Sequence, residues 1–330
     1  MSEVKKELLF LGELRKPTGG DQEWFPPFCY ELIEKMSEHY EIKILEREVL
    51  QGAFHYEVDG IESNVVLFPN SCLFIDMENK TALSFTTFWD DVRVTDNIIR
   101  PLKNFKVDIY FGHYYHKNIE HTNLFLSGRG IDDENYNLYP WTFRPGNWID
   151  HKYEYPYNPK NEDLFFQGRI IPKHRDFIQI INSKKLDGFN LNIDEGQKGF
   201  LGYHDYHRTT SESLACLSAP GVKDMCYRDI ELFGRGIPVL RTRFFAELEF
   251  EIPDDIYIPI DYKHETFPRN GMPKDHVKLS EDVIYTWNEV KNDKEYLKKI
   301  GNRAKEFHND HFTNEVTIST TIKKIKEYFE

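Results

Sequence analysis

Short apolar runs alternate with stretches of helical spacing along this chain, and that alternation constrains the fold more than any other feature. In the second half, DLFFQGRI, LDGFNLNID, ACLSAPG and IPVLR read as strands. Between them lie PKHRDFIQIINSKK, a helix opened by Pro172 near its first turn, then YHDYHRTTSESL, and CYRDIELFGRG, a helix closed by glycine. EGQKGFLG reads as a loop. Strand, helix and strand in repetition predict an α/β fold with a largely parallel sheet, because a parallel pair needs a long crossover and a helix usually supplies it.

The first half carries the same signal. ELLFLGEL reads as a buried strand, followed by the turn-rich RKPTGGDQEW and a helix with Phe28, Leu32, Ile33 and Met36 on one face. YEIKILERE, SNVVLF, SCLFID, TALSFTTFW and KVDIYFGHYYH are further strand candidates. From Leu138 to Lys160 the chain is rich in Pro, Asn, Tyr and Trp and reads as a linker without regular structure. Beyond DDIYIPIDY, helices are expected at 280–291, 293–309 and 313–329. The pattern predicts two Rossmann-like domains facing a cleft, 1–160 and 161–310, and a helical C-terminal tail, 311–330, that packs back on the first domain. In open α/β sheets ligands bind beyond the carboxyl ends of the strands, so candidate site residues are sought there.

Composition narrows the partners. With 55 Asp and Glu against 42 Lys and Arg, the net charge is −13, which disfavours general nucleic-acid binding. The 25 Phe and 19 Tyr suit a large core and sites that grip flat or ring-shaped ligands. The four cysteines, Cys29, Cys72, Cys216 and Cys226, form neither a disulfide framework nor a zinc spacing. MSEVKKELLFLGEL lacks the apolar core of a signal peptide, and no run approaches the ~20 apolar residues of a membrane span. A cytoplasmic location is expected.

The densest chemistry lies in ACLSAPGVKDMCYRDIELFGRGIPVLR. If CYRDIELFGRG is a helix, its free N–H groups and positive end follow the loop after the strand ACLSAPG, a natural seat for a phosphate. Arg228 in that first turn adds a bidentate donor, and Glu231 can accept two sugar hydroxyls. The same pair at i,i+3 also suits a plain surface ion pair, worth a few tenths of a kcal/mol. The segment resembles the donor-binding signature of GT-B glycosyltransferases, most closely the exostosin-like kind. Pro220, Gly221, Arg228, Glu231, Gly236, Ile237, Pro238 and Val239 stand in register with it. The terminal YLKKIGNRAKEFHNDHFT is similar to the helical tail of that fold.

The resemblance implies that Arg228 contacts the diphosphate and Glu231 the ribose of a nucleotide sugar, with Tyr227 and Gly221 beside them. The chain departs from the pattern in two respects: many retaining members pair two glutamates, and the position where the second would stand is Lys223, and the N-terminal half matches no motif of the family. Gly168 and Arg169 end a strand at the predicted cleft mouth, where these enzymes often place a phosphate-binding Arg or Lys; Lys173 and Arg175 are nearby alternatives. Gly19 and Gly20 of KPTGGD resemble the Gly-rich loop after the first strand of the same enzymes and equally suit a plain turn.

An inverting transfer needs a general base from the N-terminal half. Asp90 and Asp91 are the leading candidates, then His113 and His116 of GHYYH, with Glu23 a further option. Neither GHYYH nor YHDYH has further ligands at metal-site spacing, so no metal and no cofactor beyond the nucleotide sugar are expected. The resemblance therefore implies a glycosyltransferase with a nucleotide-sugar donor and a glycan or other hydroxyl acceptor; inversion is the expectation, with retention left open. A sugar-nucleotide epimerase or hydrolase on the same fold, or a non-catalytic nucleotide- or glycan-binding protein, are the alternatives.

Overall fold

The computed structural model describes residues 5–16, 25–86, 95–112, 136–141, 155–170, 172–194, 201–219, 225–244, 249–262 and 273–330. The chain divides into two compact units. The first comprises Met1–Trp148, Glu247–Glu249 and Asn314–Glu330, and the second Ile149–Ala246 and Phe250–Thr313.

The first unit is built on a sheet of β1 (Glu7–Gly12), β2 (Glu41–Ile44), β6 (Ser71–Asp76), β7 (Thr81–Thr86), β8 (Lys106–Gly112) and β9 (Tyr136–Trp141). Their spatial order is β2-β1-β6-β7-β8-β9. The expectation of a largely parallel sheet needs correction here. β6 runs antiparallel to both β1 and β7, while β2, β8 and β9 pair in parallel with their neighbours. The reversal comes from a tight β6–β7 hairpin, where the Asp76 carboxylate accepts the backbone N–H groups of Glu78 and Asn79 at 3.0 Å each.

SNVVLF does not join this sheet. Its β5 (Val65–Leu67) pairs antiparallel with β4 (Ala53–Tyr56), which pairs with β3 (Glu48–Leu50) across a turn with positive φ at Gln51 and Gly52. The proposed linker also needs correction, because Tyr136–Trp141 forms β9 at the edge of the large sheet. An edge strand tolerates Pro140, which has no N–H to donate. Residues 155–160 then lie along the second unit, where Asn158 and Lys160 N–H groups donate to Ser211 and Glu212 carbonyls.

Helix α1 (Phe25–Met36) buries Phe28, Leu32, Ile33 and Met36, the face its spacing predicts. It shares a core with Leu8, Phe10, Phe74 and Phe85 of the sheet and with Ile318, Ile325 and Phe329 of the last helix, Asn314–Phe329. Lys6 Nζ closes the end of that helix by donating to Phe329 O at 2.6 Å, and it pairs with Asp76 at 2.8 Å. The opposite face of the sheet packs Leu9, Leu11, Leu73 and Ile75 against Phe54, Tyr56, Val65 and Leu67 of the small sheet.

The second unit is regular. Strands β10 (Leu164–Arg169), β11 (Phe189–Asp194), β12 (Ala215–Leu217), β13 (Val239–Thr242) and β14 (Ile258–Ile260) are all parallel, in the order β11-β10-β12-β13-β14. Helices α2 (Asp176–Ser183), α3 (Tyr203–Glu212) and α4 (Tyr227–Arg235) connect the first four. Helices α5 (His276–Val290), α6 (Lys294–His311) and α7, the last helix already described, complete the chain. Asp275 and Asp293 cap α5 and α6 by accepting the N–H groups of Lys278 and Tyr296 at 2.9 Å.

Pro172 does not open α2, which starts at Asp176. Residues 172–175 turn instead, with Lys173 at φ 65°, and this brings Arg175 inward.

Candidate functional site

The chain leaves β10 toward β11 on one side and returns to β12 on the other, so strand order reverses between β10 and β12. In doubly wound sheets this point, at the carboxyl ends of the strands, is where ligands bind. Gly168 and Arg169 end β10, Ser218 and Ala219 follow β12, and α4 begins at Tyr227.

Arg228, in the first turn of α4, lies across the end of β10. Its Nη2 donates to Gln167 O, and its guanidinium carbon stands 4.9 Å from the centre of the Phe166 ring. Gly168 permits this approach, since a Cβ there would lie 2.8 Å from Phe166 Cζ and 3.1 Å from Arg228 Nη2. Burial works against the Arg228 charge, but Tyr206, Cys226 and Glu231 outweigh it and hold its pKa above the ordinary value. Nε and Nη1 are buried and have no hydrogen-bond partner among the described residues. A buried guanidinium with two unsatisfied nitrogens is suited to an anion.

Ser218 Oγ at the end of β12 is likewise buried without a hydrogen-bond partner among the described residues. Glu231 is 7% exposed on the same helix, one turn past Arg228. Burial, with the Glu231 charge adding, pushes the Tyr206 hydroxyl up to about 12.

Arg175 is placed differently from a phosphate reader. Only 8% exposed, it donates to Arg169 O at 3.2 Å and to Ala219 O at 2.9 Å, and approaches Cys226 Sγ at 3.8 Å. It thus ties together the end of β10, the turn after β12 and the start of α4. Burial pulls its pKa below the ordinary value. Arg169 and Lys173 are exposed, Arg169 at the strand end and Lys173 in the turn before α2. Tyr227 opens α4, and its side chain lies outside the described residues. Gly19, Gly20, Glu23, Asp90, Asp91, His113, His116, Pro220 and Gly221 also lie outside the described residues.

Three features escaped sequence reasoning. Asp229 and Arg241 form an ion pair of 3.0 Å, with side chains 0% and 1% exposed. Asp229 Oδ2 also accepts the Cys226 N–H at 2.7 Å, so it caps α4, while Arg241 Nε donates to Thr242 O at 2.9 Å. The available signal was an arginine inside the otherwise apolar strand run IPVLRT. Gln167 is the third feature. Its Oε1 accepts from Asn192 Nδ2 at 2.8 Å and Leu201 N at 3.0 Å, which anchors the chain entering α3 beside β10.

The histidines of YHDYH have structural surroundings. His204 Nδ1 meets the Tyr155 hydroxyl at 2.9 Å, and the buried His207 stacks on the Tyr155 ring. Among the described residues no group of three or more His, Cys, Asp or Glu could hold a metal ion, and no helix is long and apolar enough to cross a membrane.

The chain matches no protein-family model and no curated protein sequence. Its structure is similar to that of a glycosyltransferase from Rickettsia africae ESF-5, with a TM-score of 0.43 and 13% identity over 74% of this chain and 70% of that one. It is also similar to HepE from Anabaena in complex with UDP-glucose, with a TM-score of 0.47 and 10% identity over 74% and 78% of the two chains. For a sucrose-phosphate synthase from Thermosynechococcus elongatus the TM-score is 0.43 and the identity 14%, over 73% of this chain and 62% of that one.

Proposed function

We propose that this chain is a GT-B glycosyltransferase, most like the exostosin-like kind, that moves a hexosyl or pentosyl group from a nucleoside diphosphate sugar to a glycan or other hydroxyl acceptor with inversion. The observation that carries the reading is the seat of Arg228. It stands on the first turn of α4, over the end of β10, where strand order reverses, with Nε and Nη1 lacking protein acceptors among the described residues. The diphosphate takes those two nitrogens and the free N–H groups at the start of α4. Ser218 Oγ is a further donor, and Glu231 receives the ribose hydroxyls.

In the transfer, the acceptor oxygen forms a bond to the anomeric carbon as the bond from that carbon to the diphosphate oxygen breaks. The electron pair leaves with the diphosphate, and the acceptor proton passes to a base. Arg228 and the α4 N-terminus stabilise the charge that develops on the leaving group. The base is proposed to be Asp90, Asp91 or His113. No cofactor beyond the nucleotide sugar enters the scheme. The four cysteines are free thiols, which suits the reducing cytoplasm proposed as its location.

The test is turnover of a panel of UDP-, GDP-, dTDP-, ADP- and CMP-linked sugars, followed by nucleotide release with and without hydroxyl acceptors. Release that rises with an acceptor and yields a glycosylated product supports the proposal. Equal release with and without every acceptor would mean hydrolysis, and no release with any sugar and acceptor would remove the transferase reading.

A further inference from the structure

The start of α4 carries a charge opposed to its proposed task. Asp229, in the first turn, holds a carboxylate against the Cys226 N–H at 2.7 Å, at the helix end that is to receive a diphosphate. A carboxylate there stabilises the helix but repels an anionic ligand, strongly so because the group is fully buried and poorly screened. Arg241, at the end of the neighbouring strand β13, answers it at 3.0 Å. The Arg241 guanidinium carbon also lies 3.3 Å from the centre of the Phe244 ring, and Nε is fixed on Thr242 O, so the arginine is held in place from three sides. Arg175 also approaches Cys226, the N-cap residue of α4, with Nη2 3.8 Å from its Sγ.

We propose that Arg241 and Asp229 are a positioning pair for the anion site. Asp229 fixes the first turn of α4 so that Arg228 reaches the end of β10, and Arg241 neutralises Asp229 so that this turn remains attractive to a diphosphate. Neither residue touches the ligand. The inference rests on the proposed nucleotide-sugar function.

It separates charge from shape. In Arg241→Met the Asp229 charge is uncovered, and affinity for a nucleoside diphosphate falls on the order of 30-fold, with a smaller loss for the monophosphate of the same base. In the double variant Asp229→Asn with Arg241→Met the cap acceptor remains, neither position carries a charge, and diphosphate affinity returns to within about 5-fold of wild type. Asp229→Asn alone leaves the arginine in excess and binds the diphosphate at least as tightly as wild type.

The experiment is calorimetric titration of UDP, GDP, dTDP and ADP, each with its monophosphate, into wild type and the three variants. Thermal melts establish that each variant is folded. If Arg241→Met fails to fold, the other two variants decide. A folded double variant as weak as Arg241→Met, or more than about 10-fold weaker than wild type, overturns the proposal, as does weakened binding in Asp229→Asn. Equal losses of monophosphate and diphosphate in Arg241→Met also overturn it. A wild type that binds the nucleotides while the variants break these expectations refutes the pair alone; a wild type that binds none refutes the nucleotide-sugar reading with it.

Discussion

Replacing Gly301 by alanine tests how the two helices behind the site are held together. Gly301 lies in α6, packed against the end of α4, and a Cβ there would stand 2.1 Å from Gly236 O and 3.0 Å from Gly236 C. The obstacle is backbone, not the movable end of a side chain. Gly236 itself has φ 71°, the left-handed conformation that closes α4, so it has little freedom to retreat. Alanine gains about 1 kcal/mol in helix propensity over glycine. Overpacking costs about 1–3 kcal/mol where side chains can yield, and the rigid obstacle places this site at the top of that range or above. The net expectation is a loss of roughly 2 kcal/mol, confined to the second unit. Urea unfolding followed by circular dichroism, with separate transitions for the two units, measures it. Asn302→Ala, at an exposed position on the same helix, is the control and is expected to shift stability by less than about 0.5 kcal/mol. An alanine at position 301 that leaves the second unit as stable as wild type, or more so, would refute the close helix contact.

Further perturbations probe other parts of the structure. Gly168→Ala is expected to weaken nucleoside diphosphate binding several-fold by displacing the Arg228 guanidinium, and to lower the urea midpoint of the second unit because the same Cβ presses on the buried Phe166 ring; unchanged affinity would detach Gly168 from the site. Ile325→Ala leaves a cavity in the core shared by α1, α7 and the sheet and should cost about 2–5 kcal/mol in the first unit, read from its own unfolding transition. Burial alone would raise the Asp76 pKa, but Lys6 and Asn79 outweigh it and bring it below the ordinary 3.8. The stability from this group is therefore full above the unfolded pKa and is lost as pH falls through the lower folded one. Acid titration of Lys6→Ala should show a shallower loss below about pH 4 than wild type, and an identical acid profile would count against the pairing. Burial also raises the thiols of Cys29 and, to about 12, Cys216, so neither is expected to react with a thiol reagent at pH 8 until urea unfolds the protein.

The second unit was legible because its strands are all parallel and its helices fall between them, so the alternation in the sequence maps directly onto the topology. The first unit was less so. An apolar run such as SCLFID states that a strand is buried but not which way its neighbour runs, and the hairpin formed by the Asp76 turn reverses the sheet there. LYPW, the last four residues of β9, was read as the start of the linker because the stretch from Leu138 to Lys160 is rich in Pro, Asn, Tyr and Trp, although an edge strand accommodates a proline. In the candidate site, Gly168 was singled out by its place at a strand end, and Arg228 and Glu231 by their spacing in the first turns of a helix and by the resemblance. Arg175 was placed nearby but read as a phosphate donor, whereas its N–H groups hold backbone carbonyls. The Asp229–Arg241 pair could not be read, because its partners come from consecutive elements and meet only once α4 packs beside β13.

The seat of Arg228 is tested most directly by calorimetric titration of UDP, GDP, dTDP, CMP and ADP into wild type and Arg228→Ala. The account predicts that wild type binds one nucleotide in the micromolar range and that the variant, folded by its melting curve, loses about 2 kcal/mol or more, roughly 30-fold in affinity. A folded variant that binds the same nucleotide as tightly as wild type would show Arg228 to be a structural arginine and place the nucleotide elsewhere.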